Sequence, residues 1–295
     1  MEPLNTVTTN IEIMAIKVKH PRVRKQLSDG LGIIAPKILR VCALGILLLG
    51  GRAFATTVVA LRSSDGVFIG TDSRINDLVH HGTYTTGCKI HRFGNVYFMG
   101  AGMYLSPRTH FNVFDFAFRA STSPGSLMDK VNTFNSLIYP AVVEMINDAK
   151  LHDFVFYMGM SGSGIILEAT FIEVSHGAGE AITKGYYIRD GEIRDDIKAM
   201  ERTEGAGLVS GKQDAVQRFI KANPNWYSDL GAAGAIKRFL ELEIVEEGDR
   251  VGPPISILKI TPNGSEWIQR GVCPEDIDHD QSEGHPKPRF NAGRL

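Results

Sequence analysis

One short stretch of the chain holds side chains and backbone suited to hydrolysing an amide: Thr56, Asp72, Lys89 and the turn Gly100-Ala101-Gly102. A threonine that begins a chain carries nucleophile and base in one residue. Its α-amine has an ordinary pKa of about 7.7–8.0, so part of it is neutral at physiological pH and can take the proton of the same residue's hydroxyl. Such a site needs three further groups: a cation that favours deprotonated forms, an acid to hold the cation, and backbone N–H groups aimed at a developing oxyanion. Lys89, Asp72 and the glycine-rich turn can supply them. The chemistry requires neither metal nor organic cofactor, and none is expected. The sequence has no C-x-x-C, no H-E-x-x-H, and no glycine-rich segment ending in Gly-Lys-Ser or Gly-Lys-Thr. The pair His80-His81 reads as surface, and Ser161-Gly162-Ser163-Gly164 as a loop between strands.

Thr56 is internal in the sequence, so a cut must expose it. Residues 1–55 hold eight Lys or Arg against three acids, a balance of +5, while the rest sums to −6 and the whole chain to −1. This basic segment runs into the apolar stretch 41–51 and then Arg52-Ala53-Phe54-Ala55. So short a run cannot span roughly 30 Å of hydrocarbon, which takes about 20 helical residues. A basic flank, a short apolar stretch and an Ala-x-Ala ending have the layout of a secretory signal peptide. The expected cut after Ala55 leaves Thr56 first and places the protein outside the cytoplasm. A start at Met14 would shorten the long leading stretch. Cys42 leaves with the leader, and an oxidising compartment permits Cys88 and Cys273 to pair without establishing that they meet.

Short strands must position the candidate groups. The β-branched and apolar runs 56–61 and 67–72 flank Ser63-Ser64-Asp65-Gly66 and predict a hairpin. A second hairpin is expected from 88–93 and 96–102 around Gly94-Asn95, after the polar stretch 76–87. Val131, Phe134, Ile138, Val142 and Met145 recur at three- and four-residue steps, which predicts a helix with one apolar face, kinked or interrupted at Pro140. Strands are expected at 154–160 and 165–174, a further pair within 186–193, helices over 211–222 and 229–247, and a late strand at 255–260. This order is unlike a β-α-β repeat. It fits an α+β chain in which antiparallel sheets carry helices as separate layers.

Composition sets the outer bounds. With 43% hydrophobic and 22% charged residues the chain reads as a folded domain rather than a polytopic membrane protein, and its net charge offers no field to draw nucleic acid or an anionic membrane. The tail from Pro274 is rich in Asp, Glu, His, Pro and Gly and is expected to be disordered. The expected organisation is a leader at 1–55, a folded domain at 56–271 and a tail at 272–295.

Taken together, the motifs resemble the proteasome β-subunit family of N-terminal nucleophile (Ntn) hydrolases, as a bacterial-type exported member. Thr56-Thr57-Val58-Val59, Asp65-Gly66-Val67, Thr71-Asp72-Ser73-Arg74, Cys88-Lys89-Ile90 and Met99-Gly100-Ala101-Gly102 follow that family's order at similar spacing. The resemblance implies that Thr56 is the nucleophile, that Asp72 pairs with Lys89, and that Gly102 donates its N–H to the oxyanion. It also implies a four-layer αββα sandwich of two antiparallel sheets between helix layers, threonine-type peptidase or amidohydrolase activity without cofactor or metal, and a homo-oligomeric ring. The family's serine at a helix opening corresponds to Ser210 of Ser210-Gly211, or is lost if Gly205-Ala206-Gly207 is the matching segment. Gly248-Asp249-Arg250-Val251-Gly252 lacks the family's Asp-x-x-Ser, with Asp249 the available acid. Ala55 stands where self-processing members carry glycine, which points to signal peptidase as the agent that frees Thr56. The expected substrate is a peptide or small amide, because an ATP-driven unfoldase has no place outside the cytoplasm. Two alternatives stay open: an acylase or amidase acting on a non-peptide amide, and a catalytically inactive shell or binding protein. No nucleic-acid partner is expected, nor any membrane once the leader is gone.

Overall fold

In β1 (Thr57–Ser63) apolar side chains point alternately to two different cores, which is why the strand is buried on both faces. Val58 and Ala60 enter one core, Val59 and Leu61 the other. The computed structural model describes residues 56–76, 84–106, 109, 111–148, 164–174, 179–189, 192–248 and 250–277. The expected leader, His80-His81, the strand expected at 154–160, Ser161 to Ser163, and Asp249 all lie outside the described residues.

β1 turns at Ser64-Asp65 into β2 (Gly66–Thr71), giving the predicted hairpin. The pair is extended on one side by β12 (Gly207–Gly211) and on the other by β13 (Ser256–Thr261) and β14 (Gly264–Gln269). This first sheet has the order β12-β1-β2-β13-β14. The second predicted hairpin, β5 (Ile90–Phe93) and β6 (Val96–Gly102), continues through β9 (Ile165–Glu173) and β10 (Glu180–Arg189) to β11 (Glu192–Ala199). Its order is β11-β10-β9-β6-β5, and every pairing in both sheets is antiparallel. Two small ribbons, β3 (Arg74–Asn76) with β4 (Tyr84–Thr86) and β7 (Leu105–Ser106) with β8 (Phe111–Asn112), lie beyond the strand ends.

Four α-helices occur among the described residues: α1 (Val113–Ser121), α2 (Leu127–Asn147), α3 (Asp214–Ala222) and α4 (Trp226–Glu246). The first two pack on the second sheet around Phe98, Phe134 and Phe171, whose ring centroids stand 5.0–6.4 Å apart. The last two pack on the first sheet, where Ile236, Phe239 and Leu240 meet Val59, Leu61 and Ile257. Between the sheets, Val58, Ala60 and Ile69 meet Met99, Ala101 and Ile172. The chain is therefore α+β, with antiparallel sheets and helices held by three hydrophobic cores.

Several boundaries differ from expectation, each for a physical reason. Pro140 neither ends nor splits α2. It is exposed, so the carbonyl that loses its helical partner faces water, while Val131, Phe134, Ile138, Val142 and Met145 hold the opposite face in place. Ser126 and Asp129 close a capping box that fixes the start of the same helix. The helix expected from Gly211 begins at Asp214, because Gly211 still pairs with Thr57 as the last residue of β12. α4 begins at Trp226 rather than near 229 and breaks its helical backbone at Gly231 (φ 64°). Folding also extends past 271. Cys273 is disulfide-bonded to Cys88 with Cα atoms 4.6 Å apart, Arg92 N–H donates to the Ile277 carbonyl at 3.1 Å, and the Ile277 side chain is buried beside the inter-sheet core.

Candidate active site

The two hairpins deliver the predicted groups to one place. Thr56 immediately precedes β1, Asp72 follows β2, and Lys89 precedes β5. The Lys89 Nζ donates to Thr56 Oγ1 at 3.0 Å and to Asp72 Oδ1 at 2.9 Å. All three residues are buried, with the Lys89 and Asp72 side chains 1% and 0% exposed. An ion pair so removed from water is costly to bury and is tolerated only when its remaining valences are filled. Here they are filled. Asp72 Oδ1 also accepts the Thr57 N–H at 3.1 Å, and Oδ2 accepts the N–H groups of Arg74 at 3.0 Å and Gly252 at 3.2 Å. Burial lowers the pKa of Lys89 below its ordinary 10.5, and the charge of Asp72, with its hydrogen bond, opposes the shift. The Lys89 ammonium is thus held by Asp72 and directed at the Thr56 hydroxyl.

Gly100-Ala101-Gly102, expected as a turn, are the last residues of β6, paired with β9. A Cβ added to Gly211 would stand 1.7 Å from the Thr56 carbonyl oxygen and 3.2 Å from Ala101 Cβ, so Gly211, Thr56 and Ala101 are in close contact. Gly102 follows with φ +101°, and a Cβ on it would come within 2.4 Å of the Ile166 carbonyl oxygen. Only glycine fits there. Tyr104 pins the end of the strand by donating its hydroxyl to the Gly100 carbonyl, and its pKa is raised by burial and by the Asp72 charge, which keeps that proton in place. Gly102 is the residue after Ala101, at the end of β6 opposite Leu167 of β9.

Ser210 is buried on β12 opposite Val58, and its hydroxyl meets Thr170 Oγ1 at 3.4 Å; Thr170 in turn meets Thr183 at 2.9 Å. Thr56, Asp72 and Lys89 therefore form a continuous chain of contacts, with Gly102 and Ser210 on the adjoining strands. From the described residues of the 248–252 segment, the Gly252 N–H donates to Asp72 and the Gly248 carbonyl accepts from Arg74.

Sequence reasoning missed two further contributors. Lys212 brackets the start of β1: its N–H donates to the Thr56 carbonyl at 3.2 Å, and its carbonyl accepts Thr57 Oγ1 at 3.2 Å. Glu168, 2% exposed, accepts the N–H of Gly211 and the Tyr187 hydroxyl. The signal for Glu168 was a lone acid in the middle of the apolar run Ile165-Ile166-Leu167-Glu168-Ala169-Thr170-Phe171. Among the described residues no group of three or more His, Cys, Asp or Glu is arranged to hold a metal ion. No helix among them is long and apolar enough to cross a membrane.

No family model matches the chain, and no curated protein does. Solved structures that resemble it include Anbu (ancestral beta-subunit) from Yersinia bercovieri, at 16% identity and TM-score 0.44, covering 78% of this chain and 88% of that one. An Anbu (Gly-1) mutant from Hyphomicrobium sp. strain MC1 gives 12% identity and TM-score 0.45, covering 75% of this chain and 88% of the other. The helical assembly of the Anbu complex from Pseudomonas aeruginosa gives 14% and 0.45 over the same shares. The placement in the proteasome β-subunit family of Ntn hydrolases is corrected by these findings. The structures named here are Anbu proteins, which are proteasome-like but distinct, and no family model supports the narrower assignment. Likenesses this distant carry no argument about function, which rests on the geometry above.

Proposed function

We propose that the protein is a threonine-type amidohydrolase or peptidase whose nucleophile is Thr56 Oγ1, freed for work when residues 1–55 are removed. The observation that carries this reading is the buried chain of contacts from Thr56 Oγ1 through Lys89 Nζ to Asp72 Oδ1, at 3.0 and 2.9 Å. In the proposed reaction Thr56 Oγ1 attacks the substrate carbonyl and its proton passes to the residue's own α-amine, directly or through a water. Lys89 donates to the oxygen as negative charge develops on it, and Asp72 holds Lys89 in line. The Gly102 N–H stabilises the tetrahedral oxyanion. The α-ammonium gives its proton to the leaving nitrogen, collapse expels the amine and leaves an ester on Thr56, and water hydrolyses the ester to the acid and the free hydroxyl. Ser210 is assigned to the polar wall that orients the terminal amine.

Export is part of the proposal. It is supported by the leader pattern and by the Cys88–Cys273 disulfide, a bond that persists in oxidising compartments. The three cores support reading the architecture as an αββα sandwich, which buries a strand-end nucleophile between its two sheets. Self-association is proposed as well, supported by apolar side chains left exposed on helices of both packing groups, Met128 and Tyr139 on α2 and Leu230 and Val245 on α4. Light scattering of the mature chain tests it.

The function is tested with the chain beginning at Thr56, on fluorogenic peptides and on acylated small amides. Turnover of either class that disappears in Thr56→Ala and falls at least a hundredfold in Lys89→Ala is the expected result, and the responsive class settles peptidase against acylase. Wild-type turnover retained in Thr56→Ala contradicts the proposal. No turnover of any substrate favours the inert shell.

A further inference from the structure

Glu168 is a buried acid that the proposed reaction does not use, bonded to the residue that pairs with Thr57. It lies on β9 opposite Ala101 of β6 and Gly185 of β10, so it belongs to the second sheet. One carboxylate oxygen accepts the Tyr187 hydroxyl at 2.7 Å and has Lys198 Nζ at 3.7 Å. The other accepts the N–H of Gly211, which belongs to β12 in the first sheet. A single side chain thus ties the two sheets together, and the tie lands on the segment that brackets Thr56.

That segment has little freedom apart from Thr56. Gly211 pairs with Thr57, its α-carbon approaches the Thr56 carbonyl too closely for any Cβ, and the next residue exchanges two hydrogen bonds with Thr56 and Thr57. Moving Gly211 therefore moves Thr56. A carboxylate in the middle of an apolar strand is expensive to bury, and packing alone would be served as well by an apolar residue. Its Gly211 bond is charge-assisted, and so stronger than a neutral pair. Tyr187 is held protonated, its pKa raised first by burial and next by the charge of Glu168, so it remains a donor across the accessible pH range.

We infer that Glu168, oriented by Tyr187, is a positioning residue that clamps the Gly211-Lys212 segment of one sheet from the other and so fixes Thr56 against Lys89 for attack. This inference rests on the reading of Thr56 as the nucleophile. A displacement near 1 Å at a reacting group costs on the order of a hundredfold in rate, which sets the scale of the effect.

The test uses the chain beginning at Thr56 with Glu168→Ala, Glu168→Gln and Tyr187→Phe, and reads steady-state kinetics together with amide hydrogen exchange at Gly211 and Lys212. Glu168→Ala is expected to lower kcat by about 30- to 100-fold with KM within about threefold, and to speed exchange at Gly211 at least tenfold while β2 and β9 stay protected. Glu168→Gln keeps an oxygen for the Gly211 N–H and is expected to restore kcat to within about fivefold of wild type. Tyr187→Phe, which leaves that oxygen free to turn, is expected to fall between them. Unchanged Gly211 exchange in Glu168→Ala overturns the clamp, as does faster exchange with undiminished kcat. If the wild-type chain neither turns over nor is labelled at Thr56 by a carbonyl electrophile, the parent reading fails, and exchange at Gly211 then decides the clamp without it.

Discussion

Thr56 is 6% exposed and its hydroxyl already receives a hydrogen bond from Lys89, so the acid–base state of two neighbouring nitrogens decides whether it can attack. The terminal amine must be neutral to accept a proton. Its ordinary pKa is about 7.7–8.0. Activity should therefore rise with pH along a limb set by that amine. Lys89 must keep its proton to support the oxygen, and burial lowers its pKa from 10.5, so activity should fall again at a pH below the ordinary lysine value. A kcat/KM profile across pH 5–11 checks both limbs, and a profile flat above pH 8 contradicts the role given to Lys89. Thr56, Asp72 and Lys89 were legible in the sequence because each sits at an end of a strand in one of two hairpins, where a few residues of chain fix the distance. Glu168 was not legible as a contributor. Its partner Gly211 is 43 residues away and in the other sheet, a distance that no local pattern encodes.

Among the elements, hairpins were readable because turn chemistry and strand periodicity agree over a dozen residues. Helix α1 left no such signal. Its sequence Val113-Phe114-Asp115-Phe116-Ala117-Phe118 alternates as a strand does, and only Asn112, whose side chain accepts the Phe114 N–H, marks the start. β14 was hidden for a different reason: Gly264-Ser265-Glu266-Trp267-Ile268-Gln269 is mostly exposed and polar, as suits an edge strand. In α2 the proline rule gave the wrong outcome because a break would tear Ile138 and Val142 from the Phe134 core, which costs more than one lost hydrogen bond on the wet face. That residual cost is measurable. Pro140→Ala should restore the bond and raise stability by about 1–2 kcal/mol, read as a higher urea midpoint at an unchanged m-value. A lower midpoint would mean that the ring contributes packing that exceeds the backbone term.

For the molecule as a whole, the disulfide joins residues 185 apart and secures the far end of the domain next to Lys89. Serine at both Cys88 and Cys273 should lower stability by about 2–4 kcal/mol in chemical denaturation, chiefly by freeing the unfolded chain. An unchanged midpoint would show that the end of the domain is held by Ile277 and the inter-sheet core alone. The polar tail composition concealed both anchors, since one cysteine and one isoleucine do not shift an average. The family assignment from motifs was too narrow for a related reason: residues 56–102 describe a site geometry, and a site geometry is not the property of one family. Whether the chain works as proposed turns on the amino group of Thr56. The decisive measurement compares kcat of the chain that begins at Thr56 with that of a chain retaining Ala55, each with its N-terminal residue verified by mass. The account predicts that the retained alanine, by turning the amine into an amide, lowers kcat at least a thousandfold with the fold intact. Equal turnover by the two chains would contradict it.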